Sequence, residues 1–173
     1  MNPCEYEVMD DRIEIGTYLT AVTMTKGKIE IKCSFSKILE SILDNLTMSG
    51  ANITFSEESI ELEMDKKPSP VNISTAPFPL FPTDMQEQFI ALNSISTGKS
   101  KVVENVFENR FMHVQELIRM GGDINLQGNT ATITGSKNGL FAAPVMATDL
   151  RASASLVLAC LLYTSPSPRD SAS

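Results

Sequence analysis

The chain has 173 residues, 42% apolar and 20% charged, which suits one globular domain with a sizeable core and excludes a disordered, collagen-like or disulfide-dense chain. Lys+Arg number 14 and Asp+Glu 21, a net charge of −7 that argues against wholesale binding to nucleic acid or an acidic membrane. A small anionic ligand stays open, because a few local cations or backbone N–H groups suffice to hold one.

Cys4, Cys33 and Cys160 form no CxxC pair and have no histidine cluster, so neither a disulfide framework nor a zinc pattern is present. They read as reduced thiols of a cytoplasmic protein. No stretch approaches the ~18 apolar residues of a membrane helix. The start, Met1-Asn2-Pro3-Cys4-Glu5, lacks the basic and apolar regions of a signal peptide.

In chain order, a helix is expected over residues about 14–24, with Ile15, Leu19 and Val22 at helical spacing and Lys26-Gly27 ending it. Ile29, Ile31 and Cys33 alternate as a half-buried strand does. Ser36 then caps a helix with Ile38, Leu39, Ile42, Leu43 and Leu46 on one face, and Gly50 stops it. A hairpin follows, with Ile53 and Phe55 on one strand, a turn at Ser56-Glu57-Glu58, and Ile60, Leu62 and Met64 on the other.

After a proline-rich connector, Lys66–Phe81, the order recurs: a helix over about 84–96, a strand with Val102 and Val103, and a helix over about 109–120. A hairpin through Ile124 and Leu126, the Gln127-Gly128-Asn129 turn, and Ala131 and Ile133 closes the second unit. A second connector spans Lys137–Met146, and a third unit starts at Thr148-Asp149, echoing Thr83-Asp84, with a helix that runs to Ala159.

The recurrence has one offset. Gly27 lies 71 positions before Gly98, Gly50-Ala-Asn-Ile53 lies 71 before Gly121-Gly-Asp-Ile124, and Leu46 maps onto Leu117. The chain thus holds about two and a third α/β units: residues about 11–64, 82–136 and a truncated third from 147. Unpaired strand edges and an exposed apolar helix face are expected where the third unit stops. Residues 161–173, with Pro166, Pro168 and no periodicity, resemble a translated adapter sequence, or else a disordered tail, and are set aside from the fold.

Two copies of one unit act as an internal control. Arg110 stands at the place of Leu39, Asn109 at Ile38, Phe107 at Ser36 and Val106 at Phe35. A charge at a helix-core position is costly unless it is paired or faces solvent or ligand. Either the helix is locally shifted so that Phe111 turns inward, or Arg110 serves a site. On the repeat alone, Arg110→Leu should leave stability unchanged or higher. Thr83-Asp84 and Thr148-Asp149 fit plain helix capping, and equally a carboxylate presented at an element end. His113, the single histidine, sits at the place of Ile42 and reads as structural, since no second ligand lies at metal spacing. Lys99 and Lys101 read as a solvated strand face, and no glycine-rich phosphate loop or nucleophilic triad is present.

Several longer motifs carry a resemblance. They are Asp11-Arg-Ile-Glu-Ile-Gly-Thr-Tyr-Leu19, Phe81-Pro-Thr-Asp-Met-Gln86, Asn105-Val-Phe-Glu-Asn-Arg-Phe-Met-His-Val114, Arg119-Met-Gly121 and Met146-Ala-Thr-Asp-Leu-Arg-Ala-Ser-Ala-Ser-Leu156. Over residues about 6–159 the chain resembles the UDP-N-acetylglucosamine 1-carboxyvinyltransferases of the enolpyruvyl transferase family. The resemblance implies two domains, each an inside-out α/β barrel of three βαβαββ-type units, with residues 1–160 forming most of the second. It implies transfer of the enolpyruvyl group of phosphoenolpyruvate to the 3-hydroxyl of UDP-N-acetylglucosamine, with release of phosphate and without cofactor or metal. Asp84 matches the family's base for that hydroxyl, Val106 and Thr83 match substrate contacts, Phe107 adds apolar wall, and Arg110 matches an arginine near the interdomain pocket. Asp149 and Arg151 match a charged pair at the domain interface.

The family's first domain, with its acid cysteine and the lysine and asparagine that meet phosphoenolpyruvate, has no counterpart here, and Cys4, Cys33 and Cys160 do not match that cysteine. The chain by itself is therefore expected to be inactive. The sister enolpyruvyl transferase of the shikimate pathway is the enzymatic alternative, against which the Asn105–Val114 motif speaks. A non-catalytic α/β binding module is the other.

Overall fold

The computed structural model describes residues 3–6, 8–33, 37–56, 58–147 and 150–162. Helix α1 (Arg12–Thr25) opens at Asp11, whose carboxylate accepts from the Ile13 and Glu14 N–H groups at 2.8 and 3.3 Å. It ends at Lys26, which adopts φ 61°, and Gly27. Strand β1 (Gly27–Lys32) follows, then a short 3-10 turn (Lys37–Leu39) and helix α2 (Glu40–Met48). The hairpin strands are β2 (Asn52–Phe55) and β3 (Ser59–Met64). The expected cap at Ser36 and the turn residue Glu57 lie outside the described residues.

The second set begins inside the expected connector. Strand β4 (Ile73–Ser74) pairs in parallel with β5 (Lys99–Val103), a short edge that alternation over two residues does not reveal. Between them lie a 3-10 turn (Thr83–Met85) and helix α3 (Gln86–Ser94). After β5 come helix α4 (Val114–Arg119), β6 (Asp123–Gln127), β7 (Thr130–Thr134) and helix α5 (Leu150–Cys160).

The sheets are ordered β1-β3-β2 and β4-β5-β7-β6. Within them the registers coincide at the sequence offset. Ile29 faces Leu62, which faces Ile53, in the first sheet. Ser100 faces Ile133, which faces Ile124, in the second, each 71 residues later. A one-residue slip would turn every core side chain to solvent, so the shared register follows from the shared apolar alternation.

Helix α3 is the centre of the core. All nine of its residues are buried, including Gln86, Glu87, Gln88, Asn93 and Ser94. Contact with α1, α5, β5 and β7 surrounds it. Buried amides need partners, and Asn93 exchanges two 2.9 Å bonds with the Val71 backbone. Gln88 Nε2 donates to Thr17 Oγ1 of α1 at 3.1 Å, a pair again 71 residues apart. On α5, Leu156, Leu158 and Ala159 are buried while Val157 is exposed. Residues 163–173 of the expected tail lie outside the described residues.

Candidate functional site

Helix α4 is shorter than expected, and this shortening builds the site. The pattern predicts a helix from about residue 109, but α4 starts at Val114. Asn109 adopts φ 55°, a left-handed conformation that asparagine tolerates and that a helix cannot continue through. Residues 104–113 therefore form a loop, and Arg110 is a loop residue rather than a charge on a helix core. Phe111 is half-buried against the core, so the inward phenylalanine and a loop arginine coexist.

Glu104 shapes the loop. Its carboxylate, 2% exposed, stands at the end of β5. Oε1 accepts from the Val106 and Phe107 N–H groups at 2.8 and 3.1 Å. Oε2 accepts from Thr83 Oγ1 at 2.8 Å and Gln86 Nε2 at 3.4 Å. Burial pushes this carboxyl up, but the bonds from Thr83, Val106, Phe107 and Thr75 outweigh it and hold Glu104 below the ordinary carboxylate range. Asn129, in the β6–β7 turn, fixes the Glu104 backbone from both sides: its carbonyl accepts from Glu104 N at 2.8 Å, and its Nδ2 donates to Glu104 O at 3.1 Å.

Arg110 links this loop to the turn before α3. Nη1 donates to Thr83 Oγ1 at 3.1 Å and Nη2 to Asp84 Oδ1 at 2.7 Å. Nε lies 4.0 Å from Glu87 Oε1, and the guanidinium sits 5.0 Å from the centre of the Phe107 ring. Thr83 and Asp84 lie within a 3-10 turn whose cap position is Pro82, and neither helix start is capped by a side chain. The capping reading of Asp84 thus gives way to an ion pair.

A cavity of about 810 Å³ opens on this loop, lined among others by Val106, Phe107, Arg110, Met112 and Asn129. The structure brings Val106, Phe107 and Arg110 to the cavity wall and ties Thr83 and Asp84 to it through the guanidinium. Asp149 lies outside the described residues, and of Arg151 only the backbone, within α5, is among them. His113 is buried, with Nδ1 4.0 Å from Glu87 Oε1. Lys99 and Lys101 are exposed on the outer sheet face. Among the described residues no cysteine is joined in a disulfide, and no group of three His, Cys, Asp or Glu stands close enough to hold a metal ion. No helix among them is long and apolar enough to cross a membrane.

Sequence reasoning missed Glu104 and Glu87. The repeat offset contained the signal: Glu104 stands at the place of buried Cys33, and Glu87 at that of buried Gly16. A carboxylate replacing a buried neutral residue marks a demand for charge.

This geometry joins a cation and a carboxylate beside a loop-built cavity on an α/β fold. A family model for EPSP synthase (3-phosphoshikimate 1-carboxyvinyltransferase) matches residues 1–170, and the chain belongs to that enolpyruvyl transferase family. Among solved structures it is similar to the enolpyruvyl transferase NikO from Streptomyces tendae, with a TM-score of 0.73 and 23% identity over 90% of this chain and 37% of that one. It is also similar to EPSP synthase from Acinetobacter baumannii, with a TM-score of 0.69 and 16% identity over 94% of this chain and 41% of that one. At these identities the likeness establishes the fold, and the chain spans about two fifths of the structures it matches.

Proposed function

We propose that the chain is most of the second domain of a cytoplasmic enzyme that moves the enolpyruvyl group of phosphoenolpyruvate to the 3-hydroxyl of UDP-N-acetylglucosamine, the first committed step of peptidoglycan precursor synthesis. The observation that carries this reading is the convergence of two separate motifs. Asp84 of Pro82-Thr-Asp-Met85 and Arg110 of Val106-Phe-Glu-Asn-Arg110 meet at 2.7 Å beside the cavity.

In this reading Asp84 takes the proton of the sugar hydroxyl, whose oxygen bonds to C2 of phosphoenolpyruvate. C3 takes a proton from an acid elsewhere in the enzyme. Loss of a C3 proton and cleavage of the C2–O bond then restore the double bond and release phosphate. Val106, Thr83 and Phe107 contact the sugar nucleotide, and Arg110 offsets anionic charge with the Nη protons left over from Thr83 and Asp84. Asp149 and Arg151 belong to the interface with the first domain. Arg110 is the single cation lining the cavity among the described residues, and Asp84 and Glu87 already stand against it. A phosphate dianion therefore needs cations from the rest of the enzyme, so residues 1–173 alone should show no turnover.

The second reading is transfer to a shikimate phosphate, favoured by the family match and by the Acinetobacter baumannii neighbour. The full-length protein, given phosphoenolpyruvate with UDP-N-acetylglucosamine or with shikimate 3-phosphate, separates the two by phosphate release. Release only with the sugar nucleotide supports the first reading, and release only with the shikimate supports the second. Silence with both makes the chain a non-catalytic binding module.

A further inference from the structure

Glu104 is a buried, heavily bonded carboxylate at the cavity. It accepts from two loop N–H groups, from Thr83 and Gln86 before and within α3, and from Thr75. Those bonds set a direction. Thr83 has one hydroxyl proton, and it goes to Glu104 Oε2 at 2.8 Å. The lone pairs of Thr83 are thereby left for Arg110 Nη1 at 3.1 Å, while Nη2 of the same guanidinium reaches Asp84. Donation runs outward from Arg110, to Asp84 on one side and through Thr83 to Glu104 on the other, and an ionised acceptor at the Glu104 end keeps the Thr83 hydroxyl turned that way.

We infer that Glu104 is a positioning residue of the transferase site: its buried carboxylate orients Thr83, and through Thr83 it holds the Arg110 guanidinium and the Asp84 carboxylate at the cavity wall. The inference rests on the transferase reading above. A glutamine at 104 retains an oxygen for the two loop amides, so the loop keeps its shape. Its NH2 group faces Thr83, however, and the hydroxyl must accept there and turn its proton away, against the guanidinium.

The test uses the full-length protein carrying Glu104→Gln, Thr83→Val, Thr83→Ser and the double variant Glu104→Gln/Thr83→Val. Phosphate release yields kcat and KM, and a thermal melt gives Tm. Glu104→Gln should lower kcat about tenfold with acceptor KM nearly unchanged, and Thr83→Val should lower kcat to a similar extent, each assayed well below its own Tm. The double variant should be no slower than the poorer single one, because both break the same chain of bonds. Thr83→Ser, which keeps the hydroxyl, should recover most of the rate. Thr83→Val leaves the Glu104–amide bonds intact and decides the matter if Glu104→Gln fails to fold. Wild-type kcat in Glu104→Gln, losses that multiply in the double variant, or a rate loss that only follows a lower Tm overturns the inference. If the wild type turns over neither acceptor, the transferase reading falls and a crystal structure of Glu104→Gln decides. Arg110 displaced from Thr83 upholds the positioning role, and Arg110 in place overturns it.

Discussion

Arg110 Nη2 lies 2.7 Å from Asp84 Oδ1, joining the loop after β5 to the turn before α3 across 26 residues of sequence. The guanidinium is 11% exposed and the carboxylate 35%. Solvent therefore screens Asp84 more than Arg110, and the pair keeps a side toward the cavity.

Asp84→Asn in the full-length enzyme should lower kcat by roughly 10²–10⁴-fold, the usual size of a lost general base. Acceptor KM should change little, because an amide retains the size and most of the polarity of the carboxylate. Steady-state phosphate release measures both, and a near-normal kcat would remove Asp84 from the base role.

Arg110→Leu should abolish most activity and also lower stability. The repeat alone suggests the opposite for stability, since leucine is the residue of the sibling unit. The structure reverses that expectation, because Glu87 is buried 4.0 Å from Arg110 Nε and loses its guanidinium neighbour. A buried polar group deprived of a partner costs about 1–3 kcal/mol. Adding Glu87→Gln should restore part of the lost Tm. A leucine variant that melts at or above the wild type would show that the Glu87 contact carries no weight.

Acid should expose the Glu104 carboxylate as a stability element. Its folded value lies below the ordinary one, so between the two values the unfolded chain binds more protons and stability rises with pH. The contribution is complete above about pH 4.3, the ordinary glutamate value, and is lost as pH falls through the lower folded value. Melting curves from pH 7 to pH 3 should show the wild type's advantage over Glu104→Gln shrinking only at the acid end. A constant gap would contradict the assignment.

Gly135→Ala should destabilise the junction between β7 and the end of α3. A Cβ there would fall on the Ser96 carbonyl oxygen, which is backbone and cannot swing aside. Ser136 N donates to Ser94 O at 2.8 Å, so the close approach is held on both sides. Overpacking of this kind costs typically 1–3 kcal/mol. Urea titration should show a lower midpoint with an unchanged slope.

What the sequence determined by itself is the periodic part of the molecule. Apolar alternation placed β1, β3 and β7, because a strand with one buried face repeats every second residue. Helical spacing placed α1 and α2 for the same reason. Two motifs far apart in the chain marked Thr83, Asp84, Val106, Phe107 and Arg110, though not how they join.

Only the tertiary structure decided the rest. Helix α3 is buried on every side, so no face of it alternates with solvent and periodicity cannot say what surrounds it. Glu104 reads in sequence as a charge after a strand. It can be buried only because donors from residues 83, 86, 106 and 107 converge on it. That convergence depends on packing of the α3 turn against the β5 loop, a long-range arrangement that no local pattern encodes. The same packing starts the α4 helix late, turns Arg110 into a loop cation, and makes a cavity of what the sequence alone would read as one more amphipathic turn.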